Sequence, residues 1–406
     1  MNHLSAEQQT LLILLRQSLW QESSPLPDRI DWMAVDVMAR QQAVVSMAYD
    51  GAVSLKAELP PEIKQKWNQR TMGGVIRNEQ LLMAQDQVLG WLDQEKIPAA
   101  ILKGSSVSRY YPQPDLRVLG DIDILIPRDK VERIREILVC NGYTFHESDH
   151  EFHLGFSKPG AYVEIHYDVT TLPNSQGGEM IRNEIAKFLE NRDRACLMGH
   201  DFPVLCQNYQ ALSLLLHMVR HMTEGGIGLR QLCDWALYVS NTDPEYFAEV
   251  TAPMLERCGL LRYAQVATWT CVRWIGLPEQ YALWCVNVTD ENAQAFVLDI
   301  FRGGNMGNAD SEKMGRALSR SVARGEKQSF IKMVLASLTE LAYRNFPVAK
   351  KYKILLPFYW IYLPVRYWVR SIWGLREKKS LTEAAKNAKT QQDFYNMLGI
   401  YSTDEQ

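Results

Sequence analysis

No two of the seven cysteines form a CxxC pair, and an odd number of scattered thiols argues against a disulfide framework and a zinc ribbon alike. A reducing, cytoplasmic setting is the expectation. Charge of one sign is also missing: 44 Lys and Arg stand against 47 Asp and Glu, a net charge of −3. That balance gives no electrostatic footprint for a nucleic-acid partner. Long apolar runs are lacking as well. The longest uncharged apolar stretch, 354–365, is too short to cross a bilayer and contains two prolines. Near the amino terminus, LLILL has no basic segment before it and no small-residue cleavage site after it, so it reads as part of an amphipathic helix and not as a signal peptide. Repeats and low-complexity segments are absent too. What remains is an ordinary globular composition, 47% hydrophobic and 22% charged over 406 residues, enough for two or three domains.

From residue 5 to about 97 the apolar positions recur at three- and four-residue spacing, with prolines at 25, 27, 60 and 61 as punctuation. From Ile97 the period changes. IPAAILK, DIDILIP and AYVEIHYDV read as strands, and RDKVERIREILVCNGYTF between the last two as an amphipathic helix ending at the Asn141-Gly142 turn. Helical patterns return after about residue 205. The expected fold class is α+β, a small mixed β-sheet core embedded in a largely helical protein. The expected division is a helical region 1–96, an α/β core 97–204, a helical domain 205–330 and an aromatic and basic helical tail 331–406.

The stretch AAILKGSSVSRYYPQPDLRVLGDIDILIP, 99–127, holds the chemistry. Alternation along a strand sends Asp121 and Asp123 to one face and Ile122 and Ile124 to the other. Two adjacent buried carboxylates repel unless a cation neutralises them, and Mg²⁺ held by a few carboxylates and substrate phosphates is the natural one. Alone, a DxD is more often an exposed strand edge. Here Gly104-Ser105 follows directly on AAILK, where a missing Cβ lets backbone N–H groups approach phosphate oxygens. In the next apolar strand, Glu164, His166 and Asp168 share a face.

The run Lys-Gly-Ser, a spacer, Gly-Asp-Ile-Asp-Ile-Leu-Ile, then Val-Glu-Ile-His resembles the DNA polymerase β-type nucleotidyltransferase superfamily, and within it the bacterial uncharacterised nucleotidyltransferase family with the LKG…GDIDIL signature. The resemblance covers residues 75 to 240 most clearly, with GIGLRQLCDWAL (226–237) and GGNMG in its helical part. The spacer between Ser105 and Asp121 is longer than the superfamily's usual loop. The resemblance implies transfer of an NMP from an NTP to a hydroxyl acceptor with release of pyrophosphate. Asp121, Asp123 and Glu164 would hold Mg²⁺, or Mn²⁺ in its place, and Glu164 would draw the acceptor's proton; Gly104 and Ser105 would cradle the phosphates. Lys103, Arg117 and Arg109 are candidates for neutralising phosphate charge. The acceptor, whether a sugar, a small molecule or a protein side chain, is not specified. Two alternatives stand beside this reading: a non-catalytic NTP-binding regulatory or antitoxin-type module, and a glycosyltransferase using its own DxD.

Weaker signals surround these. His217 and His221 lie four apart on one helical face without the Glu of HExxH, so pocket lining or plain packing is expected before zinc. His166 is a further pocket candidate. Arg230 and Asp234, at i and i+4, form either an ordinary helix ion pair or, through Arg230, a phosphate contact. Gly303, Gly304, Asn305 and Gly307 read as a turn. The tail, KKYKILLPFYWIYLPVRYWVRSIWGLREKK, reads as helices packed on the core or as a membrane-surface or protein-docking patch.

Overall fold

Four helices fill most of the first ninety-four residues: α1 (Ala6–Trp20), α2 (Trp32–Gln41), α3 (Val45–Ser54) and α4 (Pro61–Gln94). Local chemistry marks their starts. Ser5 and Gln8 cap α1 reciprocally, Asp31 accepts from two amides of α2, and proline opens α4, where no N–H is needed. The structure is a computed structural model that describes residues 4–146, 152–170, 172, 176–304, scattered positions between 335 and 349, 352–372 and 393–401.

Seven strands follow: β1 (Ala100–Ile101), β2 (Ile122–Leu125), β3 (Thr144–His146), β4 (His153–Lys158), β5 (Ala161–His166), β6 (Arg192–Leu197) and β7 (His200–Leu205). They make one mixed sheet in the order β3-β4-β5-β2-β1-β7-β6. β2 with β5 and β1 with β7 are parallel, and the remaining neighbours are antiparallel. The fold is therefore α+β, as the sequence suggests. The strand-like runs of the sequence correspond to β1, β2 and β5, whereas β3, β4, β6 and β7 complete a sheet wider than expected. Two positive-φ turns close its hairpins, at Gly160 after Pro159 and at Met198-Gly199.

The sheet separates two apolar cores. One face carries Ile122, Ile124, Val163 and Ile165 against Leu81, Val88 and Leu92 of α4 and Ile134 and Leu138 of α6 (Val131–Cys140). On the other side Leu125 joins the larger helical core, where α8 (Gln207–Glu224) and α9 (Leu229–Ser240) contribute Leu212, Leu215, Trp235 and Tyr238. β2 is thus buried on both faces. Its Asp123 lies on the face of Leu125, toward the helices. α4 serves both cores, since Ile63 and Trp67 near its start belong to the helical one.

Candidate active site between the sheet and the helical wall

Register brings the acids together. Asp123 in β2 stands opposite Glu164 in the parallel neighbour β5, so the two carboxylates are cross-strand neighbours. Asp121 comes one residue before β2. One oxygen from each of Asp121, Asp123 and Glu164 lies within 4.8 Å of the others. The Asp123 side chain is wholly buried, while those of Asp121 and Glu164 are 35% and 16% exposed.

Lys103 and His166 offset their repulsion. Lys103, just after β1, holds Nζ 3.3 Å from Asp121 Oδ2 and in contact with Asp123 Oδ2. His166, at the end of β5, puts Nε2 3.0 Å from Asp123 Oδ1 and 3.3 Å from Glu164 Oε2. Burial penalises the charge on each of these groups, but their mutual attraction prevails. The His166 hydrogen bond and Lys103 bring the Glu164 carboxyl down to about 2 despite burial. Asp123 is likewise held below the usual carboxylate range by Lys103 and His166 against burial. Conversely, burial would lower Lys103 and His166, yet the surrounding carboxylates raise both.

A small cleft, partly open to solvent, adjoins the acids; Lys103, Gly104, Arg117 and Asp121 line it together with His217, Arg230, Gln231 and Asp234. Gly104 has φ 68 and ψ −109, a conformation that suits glycine. It turns the chain from β1 into α5 (Ser105–Ser108) at the cleft wall. Ser105 itself is buried and donates its hydroxyl to Gln85 Oε1 of α4 at 2.5 Å. Any phosphate contact from this turn would therefore come from backbone amides.

The arginines divide by partner. Arg117 is buried and bonds Asp234 through both Nε (3.0 Å) and Nη2 (2.7 Å), and the Tyr111 hydroxyl donates to the same carboxylate at 2.7 Å. Arg109 donates to the Tyr110 hydroxyl at 2.7 Å and lies over that ring, and it is not among the residues that line the cleft. Arg230 donates to the Val118 carbonyl at 3.2 Å, its Nε is buried without a hydrogen-bond partner, and among the described residues it has no ion pair. Burial and the neighbouring Arg117 work against its charge. It is a cleft cation short of an anion. Of the two readings of Arg230 and Asp234, the i,i+4 ion pair gives way to the Arg117–Asp234 fork, because Asp234 turns to a longer-range partner.

The His217 and His221 rings sit 4.2 Å apart. Burial holds both neutral, His221 at about 3 and His217 well below the imidazole range. Among the described residues the metal-ligand groupings are Asp121–Asp123–Glu164 and His153–Glu164–His166, neither of which includes this pair. Gly303 and Gly304 pack backbone to backbone on Gly226, where an added Cβ would come within 2.8 Å of Gly303 Cα; Asn305 and Gly307 lie outside the described residues. Gln85, Asn78 and the Tyr111–Asp234 bond escape a reading by sequence, because only the fold brings their partners near.

The α+β fold thus sets three acids beside a glycine turn and a cleft that Lys103 and Arg230 help to line. Over residues 28–276 the chain matches the family described as uncharacterised nucleotidyltransferase, and it belongs to that family. No curated protein matches it, and no solved structure matches it.

Proposed function

We propose that the protein is a divalent-metal-dependent nucleotidyltransferase that moves an NMP from an NTP to a hydroxyl acceptor and releases pyrophosphate. The observation that carries this reading is the pairing of Asp123 with Glu164 across parallel strands, with Asp121 beside them at the mouth of a cationic cleft. The donor set fits Mg²⁺ or Mn²⁺: hard carboxylate oxygens on one side, and Asp121 open toward the cleft. A divalent ion held by Asp121, Asp123 and Glu164 supplies charge neutralisation and polarises phosphoryl oxygens.

The chain's own groups do the rest. Gly104 and the amides that open α5 receive phosphate oxygens, and Arg230, which has no ion pair among the described residues, meets their negative charge. Lys103 fixes Asp121 and Asp123 and stands ready to meet the same phosphates. The acceptor oxygen attacks the α-phosphorus, the bond to the bridging oxygen breaks, and pyrophosphate departs with that oxygen. Glu164 takes the acceptor's proton as the new P–O bond forms, the role the family resemblance implies. It orients the attacking hydroxyl by accepting its hydrogen bond, and positioning and charge supply most of the rate in such transfers.

Incubation with each α-labelled NTP, Mg²⁺ and a panel of sugars, small alcohols and proteins tests this by label transfer and pyrophosphate release. Asp123→Asn should lower turnover by about a thousandfold or more. The Lys103 ammonium, already seated between Asp121 and Asp123, favours a second reading: an NTP-binding module that needs no metal. Binding of NTP that persists in EDTA, with no release across the panel, would decide for that module and against the enzyme.

A further inference from the structure

The helix Leu356–Ile372 has two unlike faces. On one, Tyr359 stacks on Phe346 with ring centroids 4.6 Å apart, and the Trp360 indole donates to Thr339 Oγ1 at 2.8 Å. On the other, Phe358, Ile361 and Val365 are 63%, 71% and 52% exposed, and Ile354 in the turn before the helix is 87% exposed. Their spacing of three, four and seven residues makes one apolar stripe. Among the described residues nothing covers it.

Charge says what does. Residues 341–376 contain seven Lys and Arg and no Asp or Glu, in a chain whose net charge is −3. Basic residues thus flank the stripe, with Lys353 before it and Arg366 directly after Val365. Tyr362, beside Phe358 on the exposed side, adds a ring of the kind that settles at the boundary between headgroups and acyl chains. A second copy of the chain would set two such basic segments against each other, and they would repel. An apolar stripe with basic flanks and an aromatic shoulder matches an anionic bilayer surface. Among the described residues no helix is long and apolar enough to cross a membrane, so this one would lie in the surface plane.

We propose that the helix Leu356–Ile372 docks the protein on an anionic lipid surface, with Phe358, Ile361 and Val365 entering the acyl boundary and the flanking lysines and arginines meeting phosphate headgroups. The test is flotation of the full chain with phosphatidylcholine vesicles, with and without phosphatidylglycerol, at low and high salt. The wild type should float with the anionic vesicles, far less with the neutral ones, and should lose most of that binding at high salt. The double variant Phe358→Asp, Ile361→Asp should lower the bound fraction about tenfold while far-UV circular dichroism and melting stay as in the wild type, since both positions face solvent. No flotation of the wild type would overturn the proposal. So would equal flotation of the double variant, binding indifferent to lipid charge, or a concentration-dependent dimer in light scattering that the double variant abolishes. None of these readouts uses a nucleotide, so they stand apart from the test of catalysis.

Discussion

Two arginines that look alike in the sequence have opposite employment in the fold. Arg117 spends its fork on Asp234, whereas Arg230 faces the cleft without a carboxylate. Truncating each should therefore cost different things. Arg117→Ala strands a buried carboxylate, so denaturant titration should show a loss of about 3–5 kcal/mol. Arg230→Ala should leave stability within about 1 kcal/mol and raise the KM for NTP by about tenfold, as the loss of one charged phosphate contact implies. Asp234 gives the matching pH dependence. Burial opposes its charge, but Arg117 and the Tyr111 hydroxyl hold the carboxyl below the usual range. Its folded value is thus lower than the unfolded value of about 3.9, so its contribution is complete above that pH and fades as pH falls through the folded value. Melting curves should show the gap between wild type and Asp234→Asn narrowing in acid. None of this was legible beforehand, because an arginine's partner is chosen across more than a hundred residues of chain. Asp121, Asp123 and Glu164 were legible as one group because strand alternation is local and acids in an otherwise apolar strand are conspicuous.

Between the sheet and the helices, the segment from Ser106 to Gly120 depends on clasps from other elements. Asn78 of α4 donates to the carbonyls of Asp115 and Arg117 and accepts from the Leu119 amide, and Arg77 reaches the Gly120 carbonyl. Asn78→Ala leaves three backbone groups, two of them in buried hydrogen bonds, without this partner, which should cost about 2 kcal/mol and make the segment cut faster in limited proteolysis. The same distance effect explains what the sequence concealed among the elements. β2 and β5 announce themselves by apolar alternation, and Pro159-Gly160 marks the turn into β5. The β6–β7 hairpin turns on Met198-Gly199 with both φ positive, a conformation usually signalled by Asn-Gly, and β6 exposes most of its residues, so neither pattern nor turn advertises it. The helices α1 to α4 follow their apolar period closely, since capping and spacing are encoded within a few residues.

At the scale of the whole chain, the cleft exists because two cores of different origin meet at one sheet. Asp121, Asp123 and Glu164 come from the strands; His217 and Arg230 come from α8 and α9. α4 has its first turns in the helical core and its last in the sheet core, so a single rod is rooted in both. A body built this way has no hinge line along which one half can melt while the other stands. We expect one cooperative unfolding transition, with far-UV circular dichroism and tryptophan fluorescence giving the same midpoint. A double proline at the middle of α4, in place of Gly73 and Gly74, should uncouple the two signals into separate melts. What α4 gives the protein is then synchrony: the strand acids and Arg230 of the wall persist together or are lost together, and no half-folded population is left to present one without the other.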